Sequence, residues 1–204
     1  MLQVRSKSQR GEGGRLKLEL IQAAMRFLDQ APASALSLRR VAAEAGVSPT
    51  SAYKHFANAS ALLAEVVREC WRQLGLEMQA GMAAAEAQGP LAVLKLQMAA
   101  YVRYAMERPS RYQLLFALEP TDPGAPIGLP GPVQPAYRSV LASIEHLAAE
   151  GRRLPMPDAH FSTLLVLSIA HGRIAIAHTA PQRETNSTAS VVQFVLDALD
   201  RAFR

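Results

Sequence analysis

Twelve residues near the start of the chain, "AGVSPTSAYKHF" (Ala45–Phe56), bring together four hydroxyls, a lysine and a histidine. Ser48, Thr50, Ser51, Tyr53, Lys54 and His55 can donate hydrogen bonds and present positive charge. That is the chemistry of recognising phosphates and polar edges rather than of breaking bonds. Elsewhere the chain holds no G-x-S-x-G turn, phosphate loop or paired-carboxylate constellation, so no catalytic residues are expected. A metal or other cofactor is not expected either. The five histidines lack i, i+4 pairing with one another, and the lone Cys70 has no partner motif. His160, His171 and His178 fall on one helix, but the last two stand about two turns apart, too far to share an ion.

The charge around this segment is uneven. Residues 1–56 carry nine Lys/Arg against four Asp/Glu, and the rest of the chain carries thirteen of each. The whole net charge of +5 therefore sits on the first quarter, as an electrostatic footprint for a polyanion would. Half of the 204 residues are hydrophobic, enough to bury a sizeable core. A single cysteine and a polar start without an apolar run fit a cytoplasmic protein. Phe161–Ala180 is long enough to span a bilayer, yet His171, Arg173 and His178 would lie in its second half. An arginine at mid-bilayer costs about 2.5–3.5 kcal/mol or more, so a buried helix of a soluble protein is expected and no membrane partner.

Helical periodicity places these residues. Residues 1–14 read as a flexible basic arm. Apolar residues from Leu16 to Leu28 recur at helical spacing and stop before Pro32. Ser37 caps a second helix that carries Leu38, Val41, Ala42 and Ala45 inward and ends at Gly46. Ser48 caps a third, short helix, with Pro49 at its first position, where the missing N–H costs nothing. Asn58 opens a long fourth helix expected to reach about Gln88. Further helices are expected at 91–108, 110–118, 134–150, 157–179 and 188–203, with an irregular proline-rich loop at 119–132. No stretch has strand character. The expected fold is all-α with about nine helices: a three-helix helix-turn-helix unit over residues 15–60, then a larger bundle over 61–204.

Two short helices across a tight glycine turn, after a longer first helix, make a helix-turn-helix. In that geometry Gly46 takes a positive φ, Val47 anchors the corner, and Ala52 and Phe56 pack on the first helix. Thr50, Ser51 and Lys54 then face outward, small or flexible enough to approach base edges in a major groove. The segment "LSLRRVAAEAGVSPTSAYKHFANASALL" resembles the DNA-binding domain of the TetR/AcrR family of bacterial transcriptional regulators. The resemblance rests on Ser37, Ala45-Gly46-Val47-Ser48, Tyr53-x-His55-Phe56 and Leu62. It implies phosphate contacts from Tyr53 and His55 assisted by Ser37 and Ser48, base contacts from Thr50, Ser51 and Lys54, and Arg39 or Arg40 at the groove edge. Two departures stand out. Ala59 and Ser60 replace a lysine and an acidic residue common in the family, which moves that phosphate contact to the N–H groups opening the fourth helix. Ala52 replaces a more common leucine.

Further on, "AYVRYAMERPSRYQLLFALEP" (100–120) and "LSIAHGRIAIAH" (167–178) resemble a ligand-binding domain of one subgroup of that family, named for a Trp/His-Gly signature. His171-Gly172 match, and Leu167 stands where the tryptophan is expected. The resemblance implies a homodimer through the last two helices, whose apolar sides carry Leu164, Leu165, Leu167, Ile169, Ile174, Val191, Val192, Val195 and Leu199. Met98, Tyr101, Tyr104, Met106, Phe116 and His171 are candidates to line a pocket for a small-molecule effector, with core packing as their alternative. The function expected is a repressor released from a palindromic, double-stranded operator DNA by a small hydrophobic or aromatic ligand, and not an enzyme. The rival reading is a hydrophobic-ligand or lipid-binding accessory protein with a lapsed DNA surface.

Overall fold

The computed structural model of the chain describes residues 12–117 and 134–204. The arm expected at 1–14 lies outside them up to residue 11, while its residues 12–14 belong to the first helix, and the loop expected at 119–132 lies outside them. Every regular element among the described residues is helical, as expected. The helices are α1 (Glu12–Leu28), α2 (Leu38–Glu44), α3 (Pro49–Tyr53), α4 (Ala59–Gln79), α5 (Met82–Glu86), α6 (Pro90–Glu107), α7 (Pro109–Ala117), α8 (Gln134–Ala149), α9 (Ala159–Thr179) and α10 (Thr188–Ala202). Short 3-10 turns occupy Ala33–Ala35 and Glu184–Asn186.

One helix differs from expectation. The segment expected to run unbroken from Asn58 to about Gln88 ends at Gln79. Gly81 then takes φ +81°, left-handed backbone that a side chain would strain, and the chain resumes as the five-residue α5. The alanines at 83–85 favour helix directly beyond the break, so periodicity alone reads straight through it.

The chain divides into a unit ending at Glu69 and a unit beginning at Cys70. In the first, Leu20, Ala23 and Ala24 of α1, Val41 and Ala42 of α2, Ala52 of α3, and Leu62 and Val66 of α4 are wholly buried. Ala42 and Ala52 are small, which lets three helices approach one another with little side-chain volume between them.

In the second unit α6 is the central helix. It packs against α5, α7, α8, α9 and α10, and eleven of its eighteen residues are buried. A helix apolar nearly all round has no solvent face to keep polar, and that fits this position. Its one buried amide is satisfied at both ends. Gln97 Nε2 donates to Ser139 Oγ at 2.9 Å, and its oxygen accepts from Ser143 Oγ at 3.0 Å. Met98 and Tyr104 sit in this core with no exposed surface.

Of the apolar residues expected on a face for a second copy, Ile174, Val191, Val195 and Leu199 turn into the chain's own core. Each helix has two apolar sides, and these four belong to the inner one. The outer sides keep Phe161 and Ile176 of α9 and Phe194 of α10, each about half exposed or more. Helix α9 has the length and composition to cross a membrane. Its Arg173, however, donates to Asn186 Oδ1 at 3.0 Å and to the Thr185 carbonyl, and Ala170, Ile174 and Ala177 are wholly buried. It is a bundle helix with an apolar outer face, and so less buried than expected.

Candidate nucleic-acid interface and effector cavity

The turn between α2 and α3 is built by hydrogen bonds that the sequence specifies. Gly46, at φ +68°, donates to the Ala43 carbonyl at 3.0 Å, and Val47 donates to Ala42 at 2.9 Å. This pair of bonds closes a Schellman end, which needs a left-handed residue at the Gly46 position. Ser48 Oγ then accepts the Ser51 N–H at 3.2 Å and bonds the Ser51 hydroxyl at 2.9 Å, opening α3. Asn58 Oδ1 accepts the Ala61 N–H at 2.8 Å, opening α4. The N–H groups of Ala59 and Ser60 stand in the first turn beyond that cap, where phosphate is bound by helix starts generally.

Register now separates the two sides of α3. Ala52 and Phe56, four apart, are 0% and 3% exposed, and the Phe56 ring lies under the Lys17 ammonium of α1 at 5.9 Å. Thr50, Tyr53 and Lys54, at spacings of three and four, share the outer side. All three are exposed, Tyr53 by 54%. Of the remaining candidates, Ser51 is half-buried and committed to the cap, and His55 is half-buried at the end of α3. Ser37 accepts the Arg40 N–H as the cap of α2.

The two adjacent arginines have different fates. Arg40 folds back, donating to the Ala35 carbonyl at 2.8 Å with its guanidinium 6.0 Å from the centre of the Phe27 ring. Arg39 is exposed and bonds to no described residue. Other cations of this unit are neutralised by acids: Arg15 by Glu19, Lys17 by Glu65 at 2.6 Å, Arg26 by Glu44 and Arg68 by Glu65. The hydrogen bonds from Lys17 and Arg68 hold the Glu65 carboxyl below its ordinary range. Among the described residues of this unit, the positive side chains left without a bond are therefore Arg39 and Lys54, one on each helix of the turn.

In the second unit a cavity of about 190 Å³ opens among α4, α6, α7, α8 and α9. Tyr101, Phe116 and His171 line it, as do Trp71, Tyr137 and Ser168, to which the sequence did not point, and Leu164 and Leu167, which were expected on a face for a second copy. Met98 and Tyr104 do not reach its wall. Trp71 meets the Phe116 ring edge-on at 5.7 Å, and Phe116 meets His171 at 4.6 Å.

Behind the wall runs a chain of hydroxyls. The Tyr101 and Tyr112 hydroxyls are 2.9 Å apart, and the Tyr112 oxygen is 2.6 Å from His171 Nδ1. Burial pushes the Tyr101 hydroxyl up to about 12 and the Tyr112 hydroxyl higher still, so both keep their protons. The same burial moves His171 below the ordinary imidazole range, keeping it neutral. A groove of about 390 Å³ lies on the other side of Phe116 and His171, lined also by Tyr112 and His178.

Residues 20–66 match the family model described as bacterial regulatory proteins, tetR family. Residues 94–199, more than half of the chain, match the one described as a tetracyclin repressor-like C-terminal domain. No curated protein matches the chain. Several solved structures share its fold. A protein of unknown function from Rhodococcus sp. RHA1 is 23% identical with a TM-score of 0.76, over 96% of this chain and 99% of that one. The TetR family transcriptional regulator PfmR from Thermus thermophilus is 17% identical with a TM-score of 0.64, over 91% and 98%. SmeT, the repressor of the Stenotrophomonas maltophilia multidrug efflux pump SmeDEF, is 16% identical with a TM-score of 0.60, over 92% and 89%.

Proposed function

Since the chain belongs to the TetR family of bacterial regulatory proteins and is a DNA-binding transcriptional regulator, we propose that it works as a homodimeric repressor. A small, mostly apolar molecule entering the second unit releases it from a palindromic operator. The observation that carries the reading is the pairing of exposed hydroxyls with unneutralised charge on the helix-turn-helix. Thr50, Tyr53 and Lys54 face outward on α3, and Arg39 joins them from α2. Folding gives no account of a phenol and two cations held there without a partner among the described residues, whereas contact with phosphates and base edges does.

One short helix reads too few base pairs for a genomic address, so two copies are required. Their recognition helices would sit about 34–36 Å apart on successive major grooves. The outer face of α9, with Phe161 and Ile176 exposed and Gly172 open to close approach, suits a second copy, together with Phe194 of α10. For release, α4 is the natural carrier. Trp71 and Met78 of its second half line the cavity, and Asn58 caps its start. Moving the population from 99:1 bound to 1:99 needs an effector that favours the released form by about 5.5 kcal/mol.

Gel-shift titration on the duplex upstream of the protein's own gene tests the reading. Tyr53→Ala and Lys54→Ala are each expected to weaken binding roughly tenfold, the size of one charge-assisted contact, with unchanged thermal melting. Equal affinity for wild type and both variants at moderate salt would overturn the interface. Failure of the wild type to bind any upstream duplex would favour the accessory-protein reading.

A further inference from the structure

We propose that the cavity in the second unit selects an uncharged one-ring molecule carrying a hydrogen-bond acceptor, such as a carbonyl oxygen, held by the Nε2–H of His171. The inference rests on reading that unit as the effector domain and adds the chemistry of the effector.

The direction of the buried hydroxyl chain carries the argument. Tyr101 is 4% exposed, and its hydroxyl bonds Tyr112 alone among the described residues. A buried O–H with one neighbour must donate to it. Accepting instead would strand the hydrogen, a penalty of about 1–3 kcal/mol, whereas an unused oxygen lone pair is tolerated. Tyr101 therefore donates to Tyr112, whose own hydrogen is then directed to the atom 2.6 Å away, His171 Nδ1. A ring accepting at Nδ1 is neutral and carries its proton on Nε2. Nε2 has no partner among the described residues, and His171 stands in the wall shared by the cavity and the neighbouring groove. Two phenols thus fix which tautomer the wall presents, and it presents a donor.

The rest of the wall sets size and charge. Trp71, Tyr101, Phe116, Tyr137 and Leu167 supply aromatic and aliphatic surface, Ser168 a hydroxyl, and among the described residues no lysine, arginine, aspartate or glutamate lines the space. An ion entering there would lose its hydration without a counter-charge. The volume of about 190 Å³ lies below the usual range for drug-sized ligands and a little above the roughly 150 Å³ that holds a benzene ring. A ring with a two- or three-atom substituent fills it.

Isothermal titration calorimetry of the full chain with acetophenone, ethylbenzene and benzoate tests the proposal, because the three share a ring and differ in acceptor and charge. Acetophenone is expected to bind about three- to tenfold more tightly than ethylbenzene, the range of one neutral hydrogen bond, and benzoate most weakly. His171→Phe keeps the ring and removes the donor, so it should bring the first two affinities together. Leu167→Trp fills the space and should weaken both. Nitrogen NMR of labelled histidine should show His171 protonated at Nε2 and bare at Nδ1. Ethylbenzene binding as tightly as acetophenone, benzoate binding best, no binding at millimolar concentration, or a proton on Nδ1 would each overturn the proposal. Operator binding is measured separately on the same preparation. A protein that binds its operator yet fails these tests loses only this inference, and one that passes them without binding DNA loses only the repressor reading.

Discussion

The two units use polar side chains in opposite ways. On the helix-turn-helix the outward groups Arg39, Thr50, Tyr53 and Lys54 stand on the surface, and the bonds that fold the turn come from other residues: the Gly46 and Val47 amides and the Ser48 cap. In the second unit the candidate groups are structure as well. Tyr101, Tyr112 and His171 bond one another across α6, α7 and α9. Recognition and stability should thus be separable in the first unit and entangled in the second.

The largest stability effect expected is Leu62→Ala, which empties a wholly buried site in the first unit and should cost about 2–5 kcal/mol in chemical denaturation. It should remove operator binding only by unfolding that unit, so stabilising osmolyte should restore binding. Next comes Tyr112→Phe. It strands the Tyr101 hydroxyl and His171 Nδ1 in the interior and should cost about 1–3 kcal/mol. The same variant should alter ligand affinity, whereas Tyr53→Phe should leave the melting curve unmoved. A harmless Tyr112→Phe would break the comparison. Ser48→Ala removes one cap and should cost about 1 kcal/mol, read by loss of amide protection in α3.

The smallest effect is the response to acid, which sharpens the contrast. Burial holds His171 and His178 below the ordinary imidazole range. Below that range the unfolded chain binds protons that the folded second unit refuses, so its stability falls as pH drops from there to the depressed values. Glu65 in the first unit is also depressed, by its bonds from Lys17 and Arg68. Its contribution is complete above the ordinary carboxylate range and is lost only on further acidification. Amide exchange followed across pH should show the second unit loosening first; the reverse order would count against the assignment.

This contrast also explains what could be read from residues alone. The Gly46 turn, the Ser48 and Asn58 caps, and the burial of Ala52 and Phe56 depend on neighbours within a few positions, where helical register decides the outcome. Periodicity left open which of Arg39 and Arg40 points away, because Arg40 is drawn back by a carbonyl five residues earlier. The break at Gly81 was hidden by helix-favouring alanines on its far side. In the second unit the outcome turns on which helices cross. Tyr112 and His171 are 59 residues apart, and no spacing rule joins them. Met98 and Tyr104 share the residue types of a pocket lining, yet α6 is buried nearly all round, so those side chains fill core. Trp71 and Tyr137 come from helices whose approach to α9 no local pattern encodes.

The chain contains one indole, Trp71, and it stands in the cavity wall with the Phe116 ring at its edge. Any guest that displaces that ring or excludes solvent from the indole should shift its emission. The protein therefore carries its own optical gauge of occupancy, readable without dye or label at the concentrations at which it meets DNA.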